Sequence, residues 1–154
     1  WTDNKMELEK EINQKKFRSE SHKLMVNIIY TFNWLNGQHA DFLKPFKITY
    51  QQFNVLRILR GQQMQPASIK LIRERMLDKM SDASRIVEKL RMKGLVERHI
   101  CEHDRRSCQV FITQKGMDLL TEIDKNESQQ TETMMALSEN EKQQLNMLLD
   151  KLRG

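Results

Sequence analysis

The densest group of reactive side chains lies in residues 99–110, where the sequence reads HICEHDRRSCQV. Four of these side chains are of types that bind zinc or copper, namely His99, Cys101, His103 and Cys108. The same stretch carries the triplet Asp104-Arg105-Arg106. It could therefore hold a metal ion, sense oxidants through its thiols, or contact an anion through its arginines. The elements that carry the stretch decide between these chemistries.

The stretch has the pattern of a β-hairpin. Residues 95–100 and 108–112 are both β-branched or alternating, so each predicts a short strand, and the seven residues between them predict the tip. An Asp-Arg-Arg tip can place one arginine in a narrow minor groove, while the carboxylate orients a guanidinium. On its own, such a tip is more often a solvated charged turn, and the anion-contacting role is favoured only where the hairpin follows a helix-turn-helix.

Strand alternation argues against metal chelation and against a disulfide. Val96 and Ile100 are predicted to face the core, which places Cys101 outside. Cys108 shares the parity of Val110 and is predicted to face inward. The two thiols then point to opposite sides, although a bulge near the tip would change this parity. We therefore expect no metal and no cofactor, and a metal- or thiol-responsive hairpin stays open as an alternative.

Composition predicts a single, mainly helical domain. The chain has 154 residues, of which 31% are charged and 38% hydrophobic, with only five Gly and two Pro. Mean hydropathy is −0.71. The sequence contains no long apolar run and no signal-peptide pattern, so we expect no membrane association. Two cysteines without a secretory signal favour the cytoplasm.

Helical spacing of apolar residues predicts a first helix between residues 5 and 36, ending at Asn36-Gly37. Its apolar face is wide, which indicates that more than one side is covered. Thr49 and Gln52 have the spacing of a capping box and predict the start of a second helix that ends at Gly61.

Two short helices follow, and their arrangement predicts a helix-turn-helix. The first comes after Pro66, and Ser81 is predicted to cap the second, which ends at Lys93-Gly94. Beyond the hairpin, Thr113 is predicted to cap a helix and Ser138 to open the last one with a capping box.

The charge distribution sets the middle of the chain apart. Residues 68–116 carry 12 Lys and Arg against 7 Asp and Glu, whereas residues 117–152 carry 3 against 8. A basic centre beside an acidic C-terminal stretch indicates an anionic partner for the centre alone.

Four strings resemble the multiple antibiotic resistance regulator (MarR) family. Residues 84–90, SRIVEKL, and 93–98, KGLVER, are similar to its recognition helix and first wing strand. Residues 104–106 resemble its wing motif, and residues 112–116, ITQKG, resemble the Leu-Thr-x-x-Gly link from wing to helix. The resemblance runs without a break through about residues 68–120.

The resemblance implies a winged helix-turn-helix fold, mainly α with a small β-hairpin wing, in one domain of 154 residues. Residues 48–116 would form the DNA-binding lobe, and residues 1–47 and 117–154 the helical dimerisation region. It further implies a homodimeric, sequence-specific regulator, with repression expected, on a pseudo-palindromic operator in double-stranded DNA. The residues expected to contact DNA are Lys79, Ser81, Asp82, Ser84, Arg85, Lys89, Arg98, Asp104, Arg105 and Arg106.

Each functional expectation has an alternative. Asp82 could accept a hydrogen bond from cytosine, but the helix-terminus role is favoured. Tyr30 and Trp34 could line a pocket for a small apolar or aromatic effector, but core packing is the favoured role. The sequence shows no catalytic constellation, so we expect no enzyme. A winged-helix protein-interaction module is the other class of function.

Overall fold

The computed structural model describes residues 6–101, 104–126 and 135–154, and within these it describes all side chains except those of Cys101 and residues 104–107. The described part of the chain forms helices and one small β-sheet. Its helices and strands are α1 (Leu8–Glu11), α2 (Glu20–Leu43), α3 (Tyr50–Arg60), β1 (Ala67–Ser68), α4 (Ile69–Arg75), α5 (Ala83–Met92), β2 (Val96–Cys101), β3 (Asp104–Ile112), α6 (Gln114–Lys125) and α7 (Glu139–Arg153). A single 3-10 turn, Lys44–Phe46, separates α2 from α3.

Helix α2 differs from its predicted bounds at both ends. It begins after Ser19, whose hydroxyl accepts from the His22 amide at 3.1 Å, and it continues through Asn36-Gly37 to Leu43. The predicted stop at Gly37 is wrong. A glycine costs a helix only about 1 kcal/mol, and the turns beyond it pack on the domain, with Leu43 fully buried.

The junction between α2 and α3 is aromatic. The His39 imidazole stacks on the Tyr50 ring with centroids 4.5 Å apart and planes 1° from parallel. Its Nδ1 atom is buried and has no hydrogen-bond partner in the described part of the chain. Burial lowers the pKa of His39, which therefore favours the neutral imidazole.

Helix starts follow the predicted capping residues with one exception. Thr49 and Ser138 form the capping boxes of α3 and α7, and Thr113 accepts from the Gly116 amide at the start of α6. Helix α5 is capped by Asp82, which accepts from the Arg85 amide at 3.1 Å. The predicted cap at Ser81 is wrong by one residue.

The sheet has three antiparallel strands in the order β1-β3-β2, so β3 is central. The hairpin β2–β3 was predicted, but its strands extend further toward the tip than expected. Strand β1 was not predicted; it pairs Ala67 with Val110 and Ser68 with Gln109. Two residues have no recognisable period, so only their register with β3 makes them a strand.

The core lies between α3, α4, α5, the base of the hairpin and α6. Val96, Val110 and Ile112 contribute its sheet side. Ile100 was predicted to join them, and this prediction is wrong, because its side chain is 69% exposed. It pairs with Cys108 further along the hairpin, where the helices no longer cover the sheet, and the register shifts between Ile100 and Cys101.

Two helices contribute little to this core. Leu43 is the only buried residue of α2, and no residue of α7 is buried. Their exposed apolar side chains are Leu24, Met25, Ile29 and Phe32 on α2 and Leu145, Met147, Leu148 and Leu152 on α7. Within the described residues, no helix combines the length and apolar content needed to cross a bilayer.

Candidate nucleic-acid interface

The turn before α5 is organised by Asp78. Its Oδ1 accepts from the Met80 amide at 3.0 Å and its Oδ2 from the Ser81 hydroxyl at 2.5 Å, and the Gln51 side chain also bonds to it. The Ser81 bond, followed by the Met80 amide, lowers the pKa of Asp78. A local network therefore sets the turn between the two helices, and sequence reasoning missed its central residue.

The first turn of α5 presents unpaired polar groups. Ser84, Arg85 and Lys89 are exposed, and none makes a side-chain hydrogen bond or ion pair among the described residues. Asp82 serves the helix N-terminus, as favoured from the sequence. A cleft of about 350 Å³ runs beside this face, lined by Thr49, Gln51, Gln52, Ser81, Asp82, Arg85, Ile86 and Lys89.

Other basic side chains near this face already have partners. The Lys79 ammonium donates to the Glu74 carbonyl. Arg91 donates to both carboxylate oxygens of Glu88, with Nη2–Oε1 at 2.7 Å, and this pair lowers the pKa of Glu88. Lys79 and Arg91 therefore bind groups of the protein itself, whereas the side chains of Arg85 and Lys89 have no partner among the described residues.

Arg98 joins the hairpin to α5. Its Nε lies 3.1 Å from the Cys108 Sγ on β3, and its Nη1 lies 3.4 Å from Glu88 Oε2 on α5. The contact with Cys108, more than that with Glu88, raises the pKa of Arg98. Arg98 was expected to contact DNA, and in the structure its exposed guanidinium contacts Cys108 and Glu88 of the same lobe.

The tip of the hairpin is only partly described. The backbone of Asp104, Arg105 and Arg106 belongs to β3, and their side chains lie outside the described residues. The side chain of Cys101 and the whole of His103 also lie outside the described residues. Cys108 is half-buried and free, in line with its predicted inward parity. Among the side chains that are described, no three His, Cys, Asp or Glu residues form a metal-sized group.

The link from wing to α6 has a close-packing requirement. Thr113 Oγ1 donates to the Gly94 carbonyl at 2.8 Å, and the Thr113 amide donates to the Leu95 carbonyl at 3.1 Å. Gly116 is buried where the start of α6 crosses the chain just before β2. A Cβ at this position would lie 2.4 Å from the Leu95 oxygen. Only glycine allows α6 to start so close to β2, which explains the ITQKG string in physical terms.

Helix α6 is tied to α3 by an ion pair. Asp124 accepts from Arg60 with Nη1–Oδ2 at 2.5 Å and from Arg57 with Nη1–Oδ1 at 3.3 Å. The three side chains are 26–40% exposed. The pair connects the end of α6 with the helix-turn-helix lobe.

The two residues expected at an effector site lie on α2. Tyr30 and Trp34 are both half-buried, and the Tyr30 hydroxyl donates to Glu11 at 2.9 Å, which raises the pKa of Tyr30. A mostly apolar cleft with a volume of about 500 Å³ lies elsewhere. It is lined by Phe46, Lys47, Ile48, Lys93, Leu95, Lys115, Asp118, Leu119 and Glu122.

An exposed helix after a tight turn, followed by a hairpin whose base enters the core, defines a winged helix-turn-helix protein. Residues 48–108 match the model of the MarR family. The transcriptional regulator MgrA of Staphylococcus aureus is 28% identical over 139 residues, which cover 87% of this chain and 92% of MgrA.

Solved structures of MarR-type regulators share the fold over nearly the whole chain. A mutant MarR from E. coli complexed with operator DNA has a TM-score of 0.76 at 22% identity, covering 90% of this chain and 99% of that one. The organohalide-sensing regulator RdhR-CbdbA1625, bound to 2,4-dichlorophenol, has a TM-score of 0.79 at 20% identity, covering 91% and 85%. The resemblance seen in the sequence is confirmed over residues 48–108, which match the MarR family model, and the fold is that of MarR-type regulators.

Proposed function

We propose that this protein is a homodimeric repressor that binds a pseudo-palindromic operator through α5 and the wing. The observation that carries the proposal is the exposed first turn of α5. Ser84 and Arg85 face solvent next to Lys89, and their side chains have no partner among the described residues. Arginine pairs bidentately with guanine in the major groove, and a hydroxyl adapts to donors or acceptors. An unpaired cluster of this kind on a rigid helix is suited to reading bases.

The expected DNA contacts come from α5, from the wing and from the turn before α5. Ser81, Arg85 and Lys89 act from the cleft beside α5 and Ser84 from the exposed first turn of that helix. Arg105 and Arg106 act from the wing, with Asp104 orienting one guanidinium. Lys79 contacts a phosphate from the turn, because its ammonium has further donors besides the one bound to the Glu74 carbonyl. Arg98 and Asp82 act indirectly, since Arg98 holds the wing against Glu88 and Asp82 caps the helix.

Dimerisation is supported by the apolar faces of α2 and α7. A helix of 15 residues that buries no side chain in its own chain, as α7 does, has little reason to be stable alone. Leu145 and Leu148 on α7, with Ile29 and Phe32 on α2, remain exposed. Large exposed apolar patches mark interfaces, and a second copy of the chain offers the matching surface under two-fold symmetry.

Regulation by a small apolar or aromatic molecule forms part of the proposal. One structural relative was solved with 2,4-dichlorophenol bound. The corresponding ligand of this protein would release the operator from a site near Tyr30 and Trp34, where α2 meets the second copy. The protein acts by binding rather than by catalysis, and its DNA partner places it in the cytoplasm.

The decisive experiment compares Arg85→Ala with Lys125→Ala. Both variants lose one positive charge, but Lys125 lies at the end of α6 opposite the wing. After selection of an operator from random duplexes, Arg85→Ala should lose about 1–3 kcal/mol of operator binding and relax base preference at one position. Lys125→Ala should bind almost as the parent does. Equal losses would contradict a base-reading role for Arg85.

The wing and the dimer are tested separately. Arg105→Ala and Arg106→Ala should weaken operator and unrelated DNA together, with a shallower salt dependence, and one variant should lose more than the other. If both variants bind DNA as the parent does, the wing is not part of the interface.

Light scattering should return a dimer at micromolar concentration, and footprints should show half-sites about 10 base pairs apart or a multiple of that. A stable monomer would refute the proposed assembly.

A further inference from the structure

Met80 is an apolar side chain displayed in a polar setting. It is 94% exposed, more than any other large hydrophobic residue of the described chain, and it lies between Lys79 and Ser81 in the turn before α5. The exposed apolar residues of α2 and α7 have a candidate cover in a second copy. Met80 belongs instead to the turn that leads into the proposed base-reading helix, two residues before Asp82, the N-cap of that helix.

The backbone that carries Met80 is held in place. Its amide donates to Asp78 Oδ1 at 3.0 Å, and the next residue, Ser81, donates its hydroxyl to Asp78 Oδ2 at 2.5 Å. Gln51 joins the same carboxylate from α3. The turn thus holds the methionine at a fixed point relative to the first turn of α5, while the flexible thioether adapts its shape.

The chemistry of a duplex limits what such a side chain can contact. Phosphates are bound by charged and hydrogen-bonding groups, which Met80 lacks. In the major groove, the C5-methyl group of thymine is the apolar feature, and apolar side chains recognise it. We infer that Met80 is a specificity-determining residue that contacts a thymine methyl group in each operator half-site. The inference rests on the proposed DNA binding.

The test removes the thymine methyl group and the Met80 side chain separately and then together. In the selected operator, each thymine of a half-site, with its symmetry mate, is replaced by deoxyuridine, which lacks the methyl but pairs identically. Burial of one methyl group corresponds to about a fourfold change in affinity per half-site, hence about fifteenfold for the symmetric pair. The parent should lose this factor at one thymine position. Met80→Ala should lose a similar factor on the unmodified operator and lose no more with deoxyuridine at that position.

Met92→Ala is the matched control. Met92 is 74% exposed but closes the opposite end of α5, so this variant should keep both the parent's affinity and its full deoxyuridine penalty. Both methionines are exposed, and circular dichroism melting should confirm that neither variant unfolds.

Several results would overturn the inference. They include a Met80→Ala variant that keeps the parent's deoxyuridine penalty, a parent that tolerates deoxyuridine everywhere, and selected half-sites without thymine. A loss in Met80→Ala that is equal on every duplex would assign the side chain to the sugar-phosphate backbone instead. Failure to select any operator would refute the proposed function itself, whereas a selected operator without coupling would refute the role of Met80 alone.

Discussion

Replacing Gly116 with alanine should destabilise the winged-helix lobe, although alanine is the better helix former. The new methyl group would lie 2.4 Å from the Leu95 oxygen and 2.8 Å from Ile112 Cγ1. Ordinary contacts require about 3.5 Å, so α6 or the start of β2 must move by about 1 Å. Such overpacking costs about 1–3 kcal/mol.

The same movement weakens a hydrogen bond. The Leu95 oxygen accepts from the Thr113 amide at 3.1 Å, and such a bond contributes about 1 kcal/mol. Gly116 lies in the first turn of α6, where alanine has the higher helix propensity. This difference offsets the loss of stability by at most about 1 kcal/mol. The net loss for Gly116→Ala is therefore about 2 kcal/mol, or a fall in Tm of roughly 4–8 °C for a chain of this size.

Gly37→Ala provides the control. Gly37 lies inside α2, is exposed, and has no atom within 4 Å of an added Cβ. At 100° per residue it also lies away from the exposed apolar residues of α2. The same substitution should stabilise the protein there by about 0.5–1 kcal/mol. Urea denaturation of both variants and the parent at one protein concentration gives the comparison.

The critical result is whether the two substitutions change the free energy of unfolding in opposite directions. If Gly116→Ala melts with the parent, the close crossing of α6 over β2 does not constrain the fold, and the physical reading of the ITQKG string is wrong. If both variants lose stability equally, the effect comes from the glycine-to-alanine change in general and not from the contact with Leu95.

Three further predictions concern single contacts. Asp82→Ala should cost about 1 kcal/mol in urea denaturation because it removes the cap of α5, and an unchanged midpoint would contradict this. Asp124→Asn should cost about 1 kcal/mol, since its pairs are partly exposed; a double-mutant cycle with Arg60→Gln should show coupling, and additive losses would refute the link. The lowered pKa of His39 means that the unfolded chain binds the proton more readily, so stability should fall as pH drops below about 6.5. His39→Phe, which can keep the stack on Tyr50, should flatten the fall in Tm between pH 7.5 and 5, and an unchanged profile would count against His39 as its source.

Features that depend on local chemistry were predictable from the sequence. The caps at Thr49 and Thr113 and the helix ending before Gly94 follow from residue type and spacing, and the structure confirms them. The cap of α5 was misplaced because Ser81 and Asp82 are both good capping residues. The choice between them depends on Asp78, which takes the Ser81 hydroxyl.

Features that depend on distant contacts were not predictable in the same way. Nothing near Gly37 signals that packing of Leu43 extends α2. For the candidate site, sequence placed Arg85 and Arg98 together as DNA contacts. Only the structure shows that Arg98 is engaged by Cys108, ten residues away on the paired strand, whereas the Arg85 guanidinium has no partner among the described residues.

The late position of the central strand has a consequence for the order of folding. Strand β1 precedes the helix-turn-helix, and its partner β3 follows it, so the pairing of Ala67 with Val110 closes a loop that contains both α4 and α5. Ser68 also caps α4 through its hydroxyl. Long-range pairings of this kind form late because loop closure costs entropy before contacts repay it. During synthesis, α5 can form and pack against α3 and α4 early, but the three-stranded sheet is complete only once residue 110 has left the ribosome.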